Sequence, residues 1–387
     1  TAKTEERKWF NPLASVLLLL NTFVCLIPMD AQTAFGGMYV TSSAVDVMKA
    51  ILSMGTFIVI LQSRVWAAKS GKEGEFYMLI VSTLLGMFAM MSAGNFLMFF
   101  LGLEMASVPL ACAVAFDMYR KNSAEAAAKF ILTATFSSGV MLYGISFLYG
   151  EFGTLYFADI TAKMQATPLT IMGLVFFFSG LGFKISLVPF HFWTADTYQG
   201  APTTVTGYLS VISKGAAAFT LLSILFHVFG GIMEYWHVLL MIVVVLSITI
   251  ANLFAVRQSE LKRFMAFSSI SQAGYIMLTA IGNDWASSVS ALSYYVLIYV
   301  VANMAVFTII SVVEQKNNGK TNIDDYNGFY QTNPRLSFLM TLAMFSLGGI
   351  PPFAGMFSKF FVFMSGVNGA NINTKMGAWA YGVVLIA

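Results

Sequence analysis

Twelve apolar stretches follow one another along this chain, at approximately 9–29, 44–62, 76–93, 95–116, 123–149, 168–192, 203–226, 232–256, 261–281, 285–313, 334–367 and 376–387. Most are near the roughly 20 residues that a helix needs to cross a hydrocarbon core. In lipid every backbone N–H and C=O must be paired inside the protein, so runs of this length point to a bundle of membrane helices. Eleven spans are complete and the twelfth is cut short at Ala387. The eleventh is too long for one straight span, and GGIPP at 348–352 divides it. Connections are short, and no soluble domain intervenes.

Composition agrees. The chain is 58% hydrophobic and 10% charged, against about 25% charged in a soluble domain. The expected class is an all-α polytopic membrane protein. A net charge of +3 is too small to argue for nucleic acid. Cys25 and Cys112 lie in apolar runs without CxxC or Cys/His spacing, which argues against disulfides, zinc and iron–sulfur clusters carried by this chain. The histidines are far apart and give no metal or haem signature. The start at Thr1 and the end inside an apolar run are those expected of a piece of a longer protein. No cleavable signal peptide is visible.

Basic residues set the orientation. With the N-terminus in the cytoplasm and alternating spans, the inner segments hold Lys3, Arg7, Lys8, Arg64, Lys69, Lys72, Arg120, Lys121, Arg257, Lys262, Arg263, Lys316, Lys320 and Arg335. The outer segments hold only Lys163 and Lys375. Lys49, Lys129, Lys184, Lys214 and Lys359 are left inside spans. Among the acids, Glu104 alone lies deep in one, about 13 Å from the start of its helix.

The segment GFKISLVPFHFWTADTYQG at 182–200 concentrates the anomalies. Lys184 stands in an apolar run, Pro189 interrupts the helix, and a polar Gly/Pro-spaced segment comes next. A cation and a broken backbone at membrane depth survive where protein buries them or water lines them. Burial disfavours the charged forms of a lysine and a carboxyl, and an opposite charge nearby favours both. At an illustrative ~7 Å and an effective dielectric of ~20, such a pair is worth roughly 2.4 kcal/mol. Moving or neutralising the carboxylate therefore favours release of a proton from the lysine, as a pump element requires.

Each candidate has a plainer alternative. Glu104 is a proton-handling acid or a structural carboxyl, either protonated or paired with a neighbouring helix. Lys184 is a buried site or snorkels to the cytoplasmic surface. Lys214 lies about 16 Å along its span, too deep to snorkel easily, and Gly215 with Ala216–Ala218 leaves room for water or close helix approach. Lys359 follows the second break. Lys129 is explained almost as well by an i,i+4 pair with Glu125, with Ser123 as helix cap. Lys49, with Asp46, reads as an interfacial anchor. His191 feeds protons at the break or caps the broken helix, and His227 and His237 are expected in solvent. Ser268, Ser269, Ser271 and Gln272 either conduct protons or pack helices.

A symmetry runs through the spans. The third to seventh and the eighth to twelfth each have a Gly/Pro-interrupted fourth member, at Pro189 and at Pro351–Pro352, and each broken span carries a lysine. Five helices is an odd number, so the second group enters the membrane from the opposite side, an inverted repeat. The expected division is 1–75 for N-terminal helices, 76–228 for the first repeat and 229–387 for the second, truncated one.

The motifs LGLEMASVPL, GFKISLVPFHFWTADTYQGAPTTVTGYLS, FMAFSSISQAGY and SLGGIPPFAGMFSKF together resemble the antiporter-like membrane subunits of respiratory complex I. YQGAP points to the subunit N branch rather than to the L and M branches or the related cation/proton antiporters. The resemblance implies antiporter-like inverted five-helix repeats with two discontinuous helices. It implies fourteen helices in the family, of which this chain would lack the first, most of the thirteenth and the last. It also implies roles: Glu104 pairs with Lys184, Lys214 is the central relay, Lys359 serves the exit side, and Lys129 matches a further family lysine. Gln272 stands where the family often has His, and Gln cannot titrate.

The expectation is a subunit that passes protons from the cytoplasm through Lys184 and Lys214 to Lys359 and the outside, with Glu104 and Lys129 as further members of the relay and His191, Ser268 and Gln272 as secondary members. No cofactor is expected in this chain; quinone, flavin and iron–sulfur clusters belong to partner subunits. The expected partners are other antiporter-like and small helical membrane subunits, and lipids, in a bacterial cytoplasmic membrane. Two rivals are a Na⁺/H⁺ antiporter subunit and a structural spacer that uses its charges for packing.

Overall fold

A computed structural model describes residues 9–117, 120–316, 319, 321–368 and 374–387. All the expected spans are helices. They are α1 (Phe10–Cys25), α2 (Ser43–Ser70), α3 (Glu73–Met91), α4 (Phe96–Val114), α5 (Lys121–Phe152), the surface helix α6 (Phe157–Ala162), and the interrupted pair α7 (Pro168–Ile185) and α8 (Phe192–Gly200). Next come α9 (Thr203–Tyr208), a π-helical stretch at Leu209–Ser213, α10 (Lys214–His227), α11 (Met233–Ala255), α12 (Leu261–Leu278) and α13 (Trp285–Lys316). A short α14 (Phe329–Thr332) precedes the second interrupted pair, α15 (Pro334–Gly348) and α16 (Ala354–Val367), and α17 (Lys375–Ile386). A two-residue ribbon, β1 (Thr33–Ala34) with β2 (Tyr39–Val40), runs antiparallel before α2.

Both breaks are built alike. α7 stops where Ser186 turns left-handed (φ 69°), and the Leu187 N–H closes the last turn on Gly182 O at 2.8 Å. α15 stops where Gly349 turns left-handed (φ 81°), and the Ile350 N–H reaches Phe345 O at 3.0 Å. A cis X-Pro bond comes next each time, Val188–Pro189 and Pro351–Pro352. The backbone freed at the first break is satisfied inside the protein. Val188 N–H donates to Ser247 Oγ at 2.9 Å, and Trp193 Nε1 donates to Phe183 O at 3.1 Å.

The halves pack alike too. α3 lies on α4 and α5 on α7 and α8 in the first; α11 lies on α12 and α13 on α15 and α16 in the second. Small residues set the closest approaches, since apolar burial gives no preference for helix over lipid tail. A Cβ on Gly102 would stand 2.4 Å from Met90 N, and one on Gly86 2.4 Å from Ala106 N. The core of the molecule is formed by the stretch 203–227 and by α12, which are 89% buried over their apolar windows.

The polar segment after Pro189 is helical at residues 192–200, α8, whose polar side chains find partners in the protein rather than lipid. Two expectations on local structure change. Ser123 is not the cap of α5, which begins at Lys121; its hydroxyl donates to Val114 O at 2.7 Å and ties α5 to α4. His237 is buried, not solvated, against the edge of Trp236 at 4.3 Å, because α11 starts at Met233 and carries it into the bundle. His227 is exposed, as expected.

Candidate functional site: a buried line of lysines

Lys184 occupies the last turn of α7 and is 4% exposed. Its Nζ donates to Ser107 Oγ at 2.7 Å, and Ser107 in turn donates to Leu103 O at 2.6 Å. Glu104, one turn before Ser107 on α4, acts on Lys184 electrostatically, without an ion pair inside 4.0 Å. Its Oε1 is buried with no hydrogen-bond partner among the described residues. Glu104 thus acts on Lys184 through space while a hydroxyl holds the ammonium.

Lys214 comes directly after the π-helical stretch and is 1% exposed. Its Nζ donates to Ser269 Oγ at 2.6 Å and sits 5.4 Å from the centre of the Tyr198 ring. Tyr198 Oη is 3.2 Å from the same Ser269 Oγ. Ser269 also reaches Ser210 O at 3.4 Å, and Asn303 Nδ2 donates to Ser210 Oγ at 2.6 Å. Four helical segments thus meet at one lysine. At Gly215 the small residue permits close helix approach: a Cβ there would meet Val296 Cγ1 at 2.9 Å.

Gln272 lies one turn further along α12. Its Nε2 donates to Leu347 O at 3.1 Å, and Tyr295 Oη donates to its Oε1. Between Gln272, Tyr295, Ser346, Ser358 and Lys359 is a cavity of about 10 Å³ of water-centre space, enough for about one water. Lys359, half-buried on α16, donates to Gly348 O at 3.1 Å and lies 4.4 Å from the Tyr275 ring centre.

The other predicted residues stand apart from this line. Ser268 is half-buried and makes no hydrogen bond among the described residues; its neighbour Ser269 takes the place expected of it. A signal existed for that. Glu104 and Ser107 are separated from Ser269 and Gln272 by the same 165 positions, and both pairs stand at the same places in helices α4 and α12. His191 sits at the N-terminal edge of α8, stacked on Phe192 at 4.6 Å, and its Nδ1 is buried without a partner among the described residues. It makes no side-chain cap.

Lys129 is on the surface, and the i,i+4 pair with Glu125 is present. It pairs with Glu125 at 2.8 Å and with Asp196 of α8 at 2.7 Å. Arg263 holds the other oxygen of Asp196 at 2.5 Å. Asp196 lies beyond the membrane-spanning stretches 168–185 and 203–227. The Lys129 ammonium, bonded to Asp196, holds its carboxyl below the usual carboxylate range, and Arg263 adds to this. Asp196 and Arg263 were not foreseen as members of the site. Lys49 is no interfacial anchor: it is buried, bonded to Asp46 at 3.3 Å and to Tyr39 Oη at 3.2 Å beneath the ribbon. Among the described residues, no group of three or more His, Cys, Asp or Glu side chains is placed to hold a metal ion.

A family model described as NADH:quinone oxidoreductase/Mrp antiporter, transmembrane, matches residues 93–384. NADH-quinone oxidoreductase subunit N of Phocaeicola vulgatus is 60% identical over 363 residues, 93% of this chain and 76% of that protein. The chain belongs to the subunit N family. Subunit N of Azobacteroides pseudotrichonymphae is 48% identical over 397 residues, 99% of this chain and 82% of that protein. Among solved structures, a chain of respiratory complex I from Thermus thermophilus with bound aureothin superposes with a TM-score of 0.80 at 29% identity, covering 97% of this chain and 81% of that one. A chain of the Mrp complex from Dietzia sp. also gives 0.80, at 20% identity over 97% of this chain and 72% of that one, which shows the shared fold. Subunit N membership accounts for the two interrupted helices and for the motifs that carry the lysines.

Proposed function

We propose that Lys184, Lys214 and Lys359, with Glu104 and the hydroxyls between them, form a proton relay across the membrane arm of a NADH-quinone oxidoreductase. As a subunit N protein the chain is a proton-translocating, multi-pass component of the bacterial cytoplasmic membrane, and the other membrane subunits of the complex are its partners. Quinone, flavin and iron–sulfur centres are assigned to those partners. This chain contributes the charge line. Lys129 belongs to its cytoplasmic border, where it positions α8 through Asp196. The division at 75/76 and 228/229 follows the two sets of helices that share a break.

The observation that carries the reading is Lys214. It is buried in the centre of the bundle, and no carboxylate among the described residues lies within ion-pair distance of it. An ammonium buried without a counter-charge costs several kcal/mol, so packing alone gives it no account. A lysine that accepts and gives up a proton does, and the neighbouring Ser269 hydroxyl can both donate and accept. Glu104 biases Lys184 by its charge, so a charge moving past α4 changes the proton affinity of Lys184.

Lys214→Met and Lys184→Met in the assembled complex test the relay. Quinone-reductase turnover and proton pumping are both measured, with assembly checked in the membrane. Loss of pumping with the complex intact is expected; unchanged pumping would sink the relay and favour the spacer reading.

A further inference from the structure

Lys214 has an approach from the cytoplasmic end that does not pass Lys184. A polar cavity of about 200 Å³ lies there between Arg120, Thr203, Thr204, Ser311 and Glu314. Glu314 is its inner wall. It accepts from Arg120 Nη1 at 2.9 Å and from Thr203 Oγ1 at 2.5 Å. Arg120 is shared: its Nε also touches Asp117 at 3.2 Å. Lys262, buried on α12 and bonded to Ala201 O at 2.7 Å, and Glu260 at the start of the same helix complete the charges near this wall, with the Tyr326 hydroxyl beside Glu314.

From this cavity two helices run inwards side by side, antiparallel in chain direction. Thr203, Gly207, Ser210 and Lys214 share one face of the α9–α10 stretch at intervals of three and four residues. Asn303, Phe307, Ser311 and Glu314 share one face of α13. The faces meet at both ends, Thr203 on Glu314 and Ser210 on Asn303. Two buried polar atoms on this track have no partner among the described residues: Thr204 Oγ1 and Asn303 Oδ1, in residues 4% and 0% exposed. Buried polar groups are bonded, to water where protein offers nothing, so each marks a hydration position. Between the ends stands one apolar layer. A Cβ on Gly207 would be 3.5 Å from Met304 Sδ and 3.5 Å from Phe307 Cβ.

We propose that this cavity is a second proton inlet, which loads Lys214 through Glu314, with Phe307 as its gate. The idea rests on the relay reading of Lys214. A hydronium in the cavity gives its proton to the Glu314 carboxylate. The neutral acid releases Arg120 to Asp117, which it already touches. Glu314 then passes the proton to water at Thr203 and Thr204. When Phe307 turns aside, that water connects to Asn303 and Ser210. The Ser269 hydroxyl hands one proton to the Lys214 amine and takes one from the incoming water, so a single proton is moved and no bond between heavy atoms changes.

The test uses the whole complex in inverted membrane vesicles, with Cys25 and Cys112 replaced. A membrane-impermeant cationic thiol reagent is applied to the cytoplasmic face of Thr204→Cys and Ser210→Cys proteins. Thr204→Cys is expected to react at rest, and Ser210→Cys severalfold faster during quinone-reductase turnover than at rest. Adding Phe307→Trp is expected to abolish the second reaction and spare the first. A Ser210→Cys that stays inert during turnover overturns the inlet. Independently, Glu314→Gln keeps the size of the wall, with its oxygen on Arg120 and its amide N–H donating to Thr203, but has no charge and cannot cycle a proton. Severalfold weaker pumping, restored by Glu314→Asp, supports the inlet. Full pumping in Glu314→Gln overturns it while the relay stands, provided Lys214→Met still stops pumping. If Lys214→Met pumps normally, the relay itself has failed and the inlet with it.

Discussion

Ser269 and Ser107 do for two lysines what a carboxylate usually does. Each hydroxyl takes the ammonium at 2.6 or 2.7 Å without neutralising it. An acid in hard contact would fix the proton on the lysine, whereas a hydroxyl leaves it free to go. Ser269→Ala is therefore expected to cost about 1–3 kcal/mol, the range for a buried group left unsatisfied, and to slow pumping while the complex still assembles. Pumping per quinone reduced, set against thermal stability of the complex, checks it. Gln272 makes two bonds, one on each side of the amide. Gln272→Leu is expected to lower pumping through loss of the water site beside Lys359, and Gln272→His to restore it, measured in the same vesicles. The buried lysines were legible in the sequence because a charge in an apolar run is conspicuous. Their hydroxyl partners were legible only through the repeat: serine is ordinary between membrane helices, and what separates Ser269 from Ser268 in the sequence is the 165-position offset from Glu104.

The interrupted helices were legible for a similar reason: Pro189 and GGIPP break the pattern that apolar runs set up. The ion pairs of the helix just after the first break were not legible: α8 takes its partners from α5 and α12, Lys129 and Arg263 on Asp196. The Asp196 carboxyl titrates below its unfolded value of about 3.9. The stabilisation it brings is thus complete above that value and disappears as pH falls through the lower, folded one. Protection of 192–200 against hydrogen exchange, after division by the intrinsic rate at each pH, should fall in that acid window and be insensitive to pH between about 6 and 8, values well above it. Asp196→Asn should show the faster exchange at neutral pH. Helix contacts were less legible still. Gly102 and Gly86 lie back to back with the facing backbones, yet nothing in sequence pairs them. Gly102→Ala puts a methyl 2.4 Å from Met90 N, and overpacking of this kind costs about 1–3 kcal/mol. The expected result is less assembled complex in the membrane at unchanged expression.

Across the two halves, the lysines of the interrupted helices are not equivalents. Lys184 precedes the left-handed residue of its break, and Lys359 comes after the left-handed residue of its own. With the breaks superposed, Lys359 matches Asp196 rather than Lys184. The shared architecture came through hydropathy; this difference of polarity needed the backbone of both breaks. The cavity beside Gln272 bears on the membrane as a capacitor. Each elementary charge crossing it costs or yields about 2.3 kcal/mol per 100 mV, so an unbroken water thread through the bundle would discharge the potential that the complex builds. A space of about 10 Å³ admits one water and no thread. The narrowness at Tyr295 and Gln272 is in this sense electrical insulation: widening it, as in Tyr295→Ala, should leave quinone reduction running while the vesicles lose their voltage.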